Sequence, residues 1–228
     1  MLNGTKTFAT NGACASIYVS FFKTNPEAGK KGISAFMIDR DSKELTVGAH
    51  ENKMGFRLSN TTELIFDNVR VPVENRIGEG LHIALNALNL SRAFISTLGV
   101  GIMQRALDEA MAYGASAVPA APHQIPDGSA DADMAIKIEA SRCLVNNTMK
   151  LMDAGHLVQK EGAITKTFVS DCMQEVTSNA VQIFGGYGYS KEYPIEKLMR
   201  NAKIFRIFEG TNQIQRLTIA KALEKEYK

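Results

Sequence analysis

Phe205-Arg206-Ile207-Phe208-Glu209-Gly210-Thr211-Asn212-Gln213-Ile214-Gln215-Arg216 places a carboxylate between an apolar stretch and a glycine, just ahead of a helix start. Ile204, Phe205, Ile207 and Phe208 offer it a desolvating neighbourhood. Desolvation disfavours a charged carboxylate, which is how a glutamate comes to act as a base near neutral pH. Gly210 leaves room for a ligand close to the backbone. Thr211 has the chemistry to cap the following helix, whose Ile214, Leu217, Ala220 and Leu223 share one face. The same pattern also describes a buried strand-to-helix turn carrying a solvated Glu.

Upstream, Gln182-Ile183-Phe184-Gly185-Gly186-Tyr187-Gly188-Tyr189 precedes Tyr193-Pro194-Ile195-Glu196-Lys197-Leu198-Met199-Arg200. Adjacent glycines let a backbone approach a bulky anion such as a pyrophosphate. They equally make a helix C-cap and turn. Further back, Met134, Ile138, Ser141, Val145, Thr148 and Met152 recur at alternating spacings of four and three, ending at Gly155. That is the stripe of a bundle-facing helix. Leu81 to about Tyr113, Glu161 to about Phe184 and Asn212 to Glu226 read as three more helices. Residues 78–228 are therefore expected to form a four-helix-bundle domain.

Residues up to about Pro72 read as strands, within a β-domain expected over residues 1–77. Ile17, Val19 and Phe21 alternate, Asn25-Pro26-Glu27-Ala28-Gly29 makes a turn, and Ile33–Ile38 and Glu63–Val69 are further strands. Gly78 to Gly80 mark the boundary. The expected fold class is α+β, a partial antiparallel β-domain followed by a four-helix bundle.

Composition narrows the function. A hydrophobic content of 45% is ample for a core, and 26 basic against 24 acidic residues leave a net charge of +2. Such balance argues against attraction to nucleic acid or to a membrane surface. The start lacks a basic-then-apolar targeting segment, and no apolar run is expected to reach membrane-spanning length. Cys14, Cys143 and Cys172 are widely spaced and carry no metal-ligand pattern, as expected of reduced thiols in a cytosolic compartment. His50, His82, His123 and His156 are scattered, so no metal site is expected. The ten methionines read as core filler.

Taken together, residues 182–216 resemble the C-terminal signature of the acyl-CoA dehydrogenases. Leu2-Asn3-Gly4-Thr5-Lys6-Thr7-Phe8-Ala9-Thr10-Asn11-Gly12 is similar to that family's flavin-contacting strand. Lys53-Met54-Gly55-Phe56-Arg57 and Phe66-Asp67-Asn68-Val69-Arg70-Val71-Pro72 resemble the end of its middle β-domain. Leu88 to Arg92 resembles the start of its helical C-terminal domain. The resemblance covers nearly the whole chain and implies an N-terminally incomplete family member.

The resemblance implies FAD-dependent α,β-dehydrogenation of an acyl-CoA thioester, with short acyl groups expected. An α C–H is a very weak acid, so the reaction needs a poised base and donors to the thioester oxygen. Glu209 matches the base, and its backbone N–H matches a donor to that oxygen. For FAD, Thr10 matches a hydrogen bond to the flavin ring and Phe8 an aromatic packed on it, although Phe8 reads equally as core. Gln182, Gly185 and Gly186 match contacts to the pyrophosphate and adenosine side, often made across a subunit interface. Thr211 and Gln213 match cofactor contacts after the base, and Gly210 lies at the substrate. Arg92 matches a residue near the CoA moiety, with a surface ion pair as the other reading. Asn89 and Asn201 stand where the family has Asp, and Phe208 where many members have Tyr.

The implied partners are the acyl-CoA substrate, an electron-transfer flavoprotein as electron acceptor, and further copies of the chain in a dimer or tetramer. An oxidase relative would pass its electrons to oxygen instead. The implied location is the bacterial cytoplasm or, in a eukaryote, the mitochondrial matrix.

One segment departs from the pattern. Residues 114–131 are small, Pro-containing and aperiodic, and are not expected to continue a helix. The family has an E-R-x-Q-F-G motif here whose arginine and phenylalanine contact the flavin dinucleotide. Back-translation with suitable codons recovers E-R-A-Q-F from Gly114–Val118 and F-Q-M-V-Q from Ile125–Ser129 in one shifted frame. A frameshift and a genuine loop insertion are the two readings. With that motif absent, the alternative function is an inactive remnant acting at most as a structural, oligomerising helical bundle.

Overall fold

A computed structural model describes residues 1–117 and 129–228, and the chain divides into two units, Met1–Ala87 and Leu88–Lys228. In the first, alternating side chains build β1 (Leu2–Thr10), β2 (Ile17–Lys23), β3 (Ile33–Asp39), β4 (Leu45–His50), β5 (Thr61–Val69) and β6 (Arg76–Glu79). They pair antiparallel in two three-stranded sheets, β1-β5-β4 and β2-β3-β6. Leu2, Tyr18, Phe22, Phe36, Ile38, Leu64, Phe66 and Val69 form the core of this unit. The Phe22 ring meets Phe66 edge-on at 5.2 Å and Phe36 at 6.2 Å. The Lys6 ammonium sits 4.4 Å from the Phe22 ring centroid and donates to the Phe21 carbonyl at 2.5 Å. Burial pulls its pKa below the usual lysine value.

The alternating Ile17, Val19 and Phe21 lie on the less buried side of β2. Ile17 and Val19 face outward at 56% and 51% exposure, whereas Tyr18, Ser20 and Phe22 are buried. A strand's faces exchange on a shift of one residue. Here the aromatic contacts of Phe22 decide the register over the β-branched set. β4 carries little sequence signal, since Leu45-Thr46-Val47-Gly48 is short and interrupted by glycine.

The second unit carries most of the long helices. α1 (Gly80–Ala117) starts in the first unit and continues into the second, followed by α2 (Ser129–Asp153), α3 (Gln159–Phe184), α4 (Ile195–Lys203) and α5 (Asn212–Glu226). The four expected long helices are present, and α4 is an additional short one that buries Ile195, Leu198 and Ala202. α3 is the central element, in contact with α2, α4 and α5. Gly99 lets α1 close onto it, since a Cβ there would stand 2.8 Å from both Met173 and Val169. The predicted α2 stripe is buried at Met134, Ile138, Ser141, Val145 and Thr148.

Two expectations need correction. Gly114–Ala117 still belong to α1 and Ser129–Asp131 already belong to α2, so the anomalous segment is helical at both margins. Residues 118–128, with the frameshift question, lie outside the described residues. α1 is also long and apolar enough, by length and composition, to cross a membrane, a property that core helices of soluble proteins share. It carries Ser91 and Arg92 in a polar cluster described below. The apolar face of α5 points outward, with Ile214 and Leu217 at 50% and 56% exposure, while the helix buries Asn212 and Gln215. α5 turns its polar side inward because the surface it packs against is polar.

Removing the Phe22 ring takes away the aromatic centre of the first unit. Phe22→Ala is expected to destabilise that unit by about 3–5 kcal/mol in urea unfolding followed by β-sheet circular dichroism. A change below about 1 kcal/mol would place the core elsewhere.

Candidate active site

The chain leaves α4, makes a 3-10 turn over Ile204–Arg206 and reverses before α5 starts. The element before the reversal is thus helical, not the apolar strand that the sequence pattern allowed. Glu209 and Gly210 both take positive φ, 56° and 87°. Two successive left-handed residues, one of them bulky, are strained and persist only if other contacts enforce them. Several do. The Gln215 amide donates to the carbonyls of Glu209 and Gly210, each at 3.0 Å. Lys166 Nζ donates to the Gly210 carbonyl at 2.8 Å and to Asn212 Oδ1 at 2.9 Å. Arg92 Nε reaches the Glu209 carbonyl at 3.5 Å. A side chain at 210 would be strained by φ and would also put its Cβ 2.5 Å from Gln215 Nε2.

Thr211 caps α5 as predicted, its Oγ1 accepting from the Ile214 N–H at 3.3 Å. Behind the cap, Asn212 donates to Ser170 at 2.8 Å and to Asp171 at 3.0 Å. Asp171 also pairs with Arg206 at 2.7 Å and Arg216 at 2.8 Å, tying both flanks of the reversal to α3.

The Glu209 side chain is half-buried and its Oε2 accepts from Ser91 Oγ at 2.5 Å. The carboxylate therefore faces a polar group from α1, not only the apolar neighbours in its own segment. Arg92, the next residue on α1, is 5% exposed, which removes the surface-ion-pair reading. It donates to Asn89 at 2.9 Å. Burial lowers the Arg92 pKa, and the Glu209 charge partly offsets that. Lys166 is 1% exposed. Desolvation first, then repulsion from Arg92, bring its pKa down to about 8, against attraction from Glu209 and Asp171.

The other expected site residues fall into separate groups. Gln182 is exposed in the last turn of α3, and its carbonyl accepts from the N–H of Gly185, whose φ is 59°. Gly186 is exposed, with open space where a Cβ would lie. The glycine pair follows Phe184, whose ring stacks on Tyr113 at 4.1 Å. Gln213 is exposed in the first turn of α5. In the first unit, Phe8 stands at a register shift of β1 with φ 54° and 70% exposure, so it is no core residue of these sheets. Thr10 is exposed at the end of β1, opposite Thr61. Glu209, Gly210, Thr211 and Arg92 are brought together, and the structure adds Ser91, Lys166, Asn212 and Gln215. Of these, Lys166 had a sequence signal: it is a charge in register with Ala163, Ser170, Met173 and Thr177 on the buried side of α3.

Comparison with known proteins gives the family. The profile "Acyl-CoA dehydrogenase, C-terminal domain" matches residues 78–224 and "Acyl-CoA dehydrogenase, middle domain" matches residues 1–69. An acyl-CoA dehydrogenase of Bacillus subtilis (strain 168) is 45% identical over 230 residues, covering 98% of this chain and 60% of that protein. The subunit CarC of the caffeyl-CoA reductase-Etf complex of Acetobacterium woodii is 39% identical over 233 residues, covering 99% and 61%. Among solved structures, butyryl-CoA dehydrogenase from Megasphaera elsdenii superposes with a TM-score of 0.89 at 39% identity, over 97% of this chain and 59% of that one. PigA with FAD and proline superposes with a TM-score of 0.90 at 28% identity, over 97% and 60%. The chain thus spans about three-fifths of the length of these relatives.

Lys166 makes the polar cluster sensitive to pH. The unfolded chain holds this proton up to the ordinary lysine value of 10.5, the folded chain only to about 8. Between those values the unfolded state binds more protons, so stability rises with pH across that window. Below it the buried charge costs roughly 3 kcal/mol. Urea unfolding between about pH 8 and 10 should show a shallower rise for Lys166→Met than for the parent chain. Equal slopes would mean that Lys166 titrates as an exposed lysine.

Proposed function

We propose, from the premise that this chain belongs to the acyl-CoA dehydrogenase family, that it carries the catalytic base of an α,β-dehydrogenation of short-chain acyl-CoA thioesters. The observation that carries this reading is the reversal at Glu209–Gly210, whose two carbonyls are held by Gln215, Lys166 and Arg92 while its carboxylate stays accessible. A base needs a fixed position and a free lone pair, and this arrangement supplies both. Among the described residues nothing accepts from the Glu209 N–H, which leaves that donor for a thioester oxygen. Charge developing there as the α-proton leaves would then be met by a preset donor.

The residues on each unit fit FAD. Phe8 and Thr10 are exposed on β1, Gln182 is exposed in the last turn of α3 and Gly186 just after it, and among the described residues nothing lies within 4 Å of where a Gly186 Cβ would stand. We assign Phe8 and Thr10 to the flavin ring, Gln182, Gly185 and Gly186 to the pyrophosphate and adenosine side, and Thr211 and Gln213 to contacts near the base. FAD, when bound, supplies the acceptor for the β-hydride. Glu209 takes the α-proton, and the released electron pair becomes the new Cα–Cβ double bond. Arg92, buried beneath the reversal, positions Glu209 rather than reaching out to CoA.

A short acyl group is supported by the likeness to a butyryl-CoA dehydrogenase. An electron-transfer flavoprotein as acceptor is supported by a relative named as part of an Etf complex. The homo-oligomer implied by the family remains part of the proposal.

Glu209→Gln tests the assignment. The chain loaded with FAD should bleach anaerobically with butyryl-CoA, and the variant should keep its FAD while losing at least about a thousandfold of that rate. Loss of FAD in the variant would give Glu209 a structural role. A parent chain that stays colourless with added FAD would favour the non-catalytic remnant.

A further inference from the structure

Gln215, Lys166 and Arg92 each donate to a backbone carbonyl of the reversal, and none of them donates to the Glu209 carboxylate. They fix where the Glu209 side chain begins and leave its own torsions free. Ser91 acts on the other end. Its hydroxyl has one proton and two acceptors in reach, the Leu88 carbonyl at 3.2 Å and Glu209 Oε2 at 2.5 Å. A helical serine commonly bonds back to its own helix. Here the shorter contact crosses to a charged oxygen, and charge-assisted bonds are the stronger kind. Among the described residues, no other hydrogen bond reaches the carboxylate, so Oε1 is unengaged.

We propose that Ser91 is a positioning residue for Glu209, its hydroxyl anchoring Oε2 so that the carboxylate plane is set and Oε1 is the oxygen that takes the substrate proton. The inference rests on the reading of Glu209 as the base. Proton transfer balances simply: the α C–H bond breaks, an O–H bond forms at Oε1, and the Ser91 hydrogen bond at Oε2 persists throughout. Neither bond requires Ser91 to lose its proton, so it assists without titrating. Among the described residues, Arg92 from α1 and Lys166 from α3 are the charged groups facing Glu209, and neither substitutes for the hydroxyl because neither donates to the carboxylate: their bonds go to the carbonyls of the reversal and to the Asn89 and Asn212 side chains.

The test separates the anchor from the base assignment. The full chain is labelled with [δ-13C]glutamate, and the Glu209 resonance is identified by its absence in Glu209→Gln. Ser91→Ala should move and broaden that resonance, while Ser91→Thr, which keeps the hydroxyl, should leave it at the parental position. In the FAD-loaded chain, Ser91→Ala should lower kcat for butyryl-CoA about tenfold with KM unchanged, and Ser91→Thr should restore it. An unmoved resonance in Ser91→Ala overturns the anchor. A moved resonance with unchanged kcat overturns the positioning role. A moved resonance in a chain whose parent turns over no butyryl-CoA upholds the anchor and removes the base reading beneath it.

Discussion

Two neighbouring residues in the left-handed region, Glu209 and Gly210, are the constraint around which the second unit is arranged. A glutamate held there costs energy that local sequence does not return. The compensation comes from afar: an amide from α5, an ammonium from α3 and a guanidinium from α1 converge on two consecutive carbonyls. Remove that convergence and the turn relaxes, the start of α5 loses its anchor, and the carboxylate loses its place.

The same convergence explains features that are otherwise unfavourable. Burying Lys166 costs free energy, yet its ammonium satisfies the Gly210 carbonyl and the capping segment together. α5 gives up the burial of Ile214 and Leu217 because its other face must carry Asn212 and Gln215 to the turn. Local stability is spent on geometry, a pattern expected where strain is stored for function.

Much of this was legible from sequence, and the illegible part has a physical cause. The bounds of α5 follow from a threonine cap and a run of good helix formers, and α2 follows from its stripe at spacings of three and four. Which face of α5 is buried could not be read, since the apolar period outweighed a polar face whose partners lie forty and more residues away in α3. The buried face of β2 was no more legible, because its β-branched residues alternate as cleanly as its buried aromatics. Glu209, Gly210 and Thr211 stood out through residue type and order. Ser91 did not, as 118 positions separate it from the carboxylate it binds and a serine inside a helix carries no distinguishing signal. Lys166 could have been found, because a lysine in the register of small and apolar α3 residues is an anomaly that asks for a buried partner.

A crystal structure of the chain with FAD and butyryl-CoA would test the central claim most directly. The account predicts Glu209 Oε1 at about 3–3.5 Å from the thioester α-carbon, with Ser91 still on Oε2 and both carbonyls of the reversal still held. A thioester whose α-carbon faces a different carboxylate, or a Glu209 turned away from it toward solvent, would contradict it.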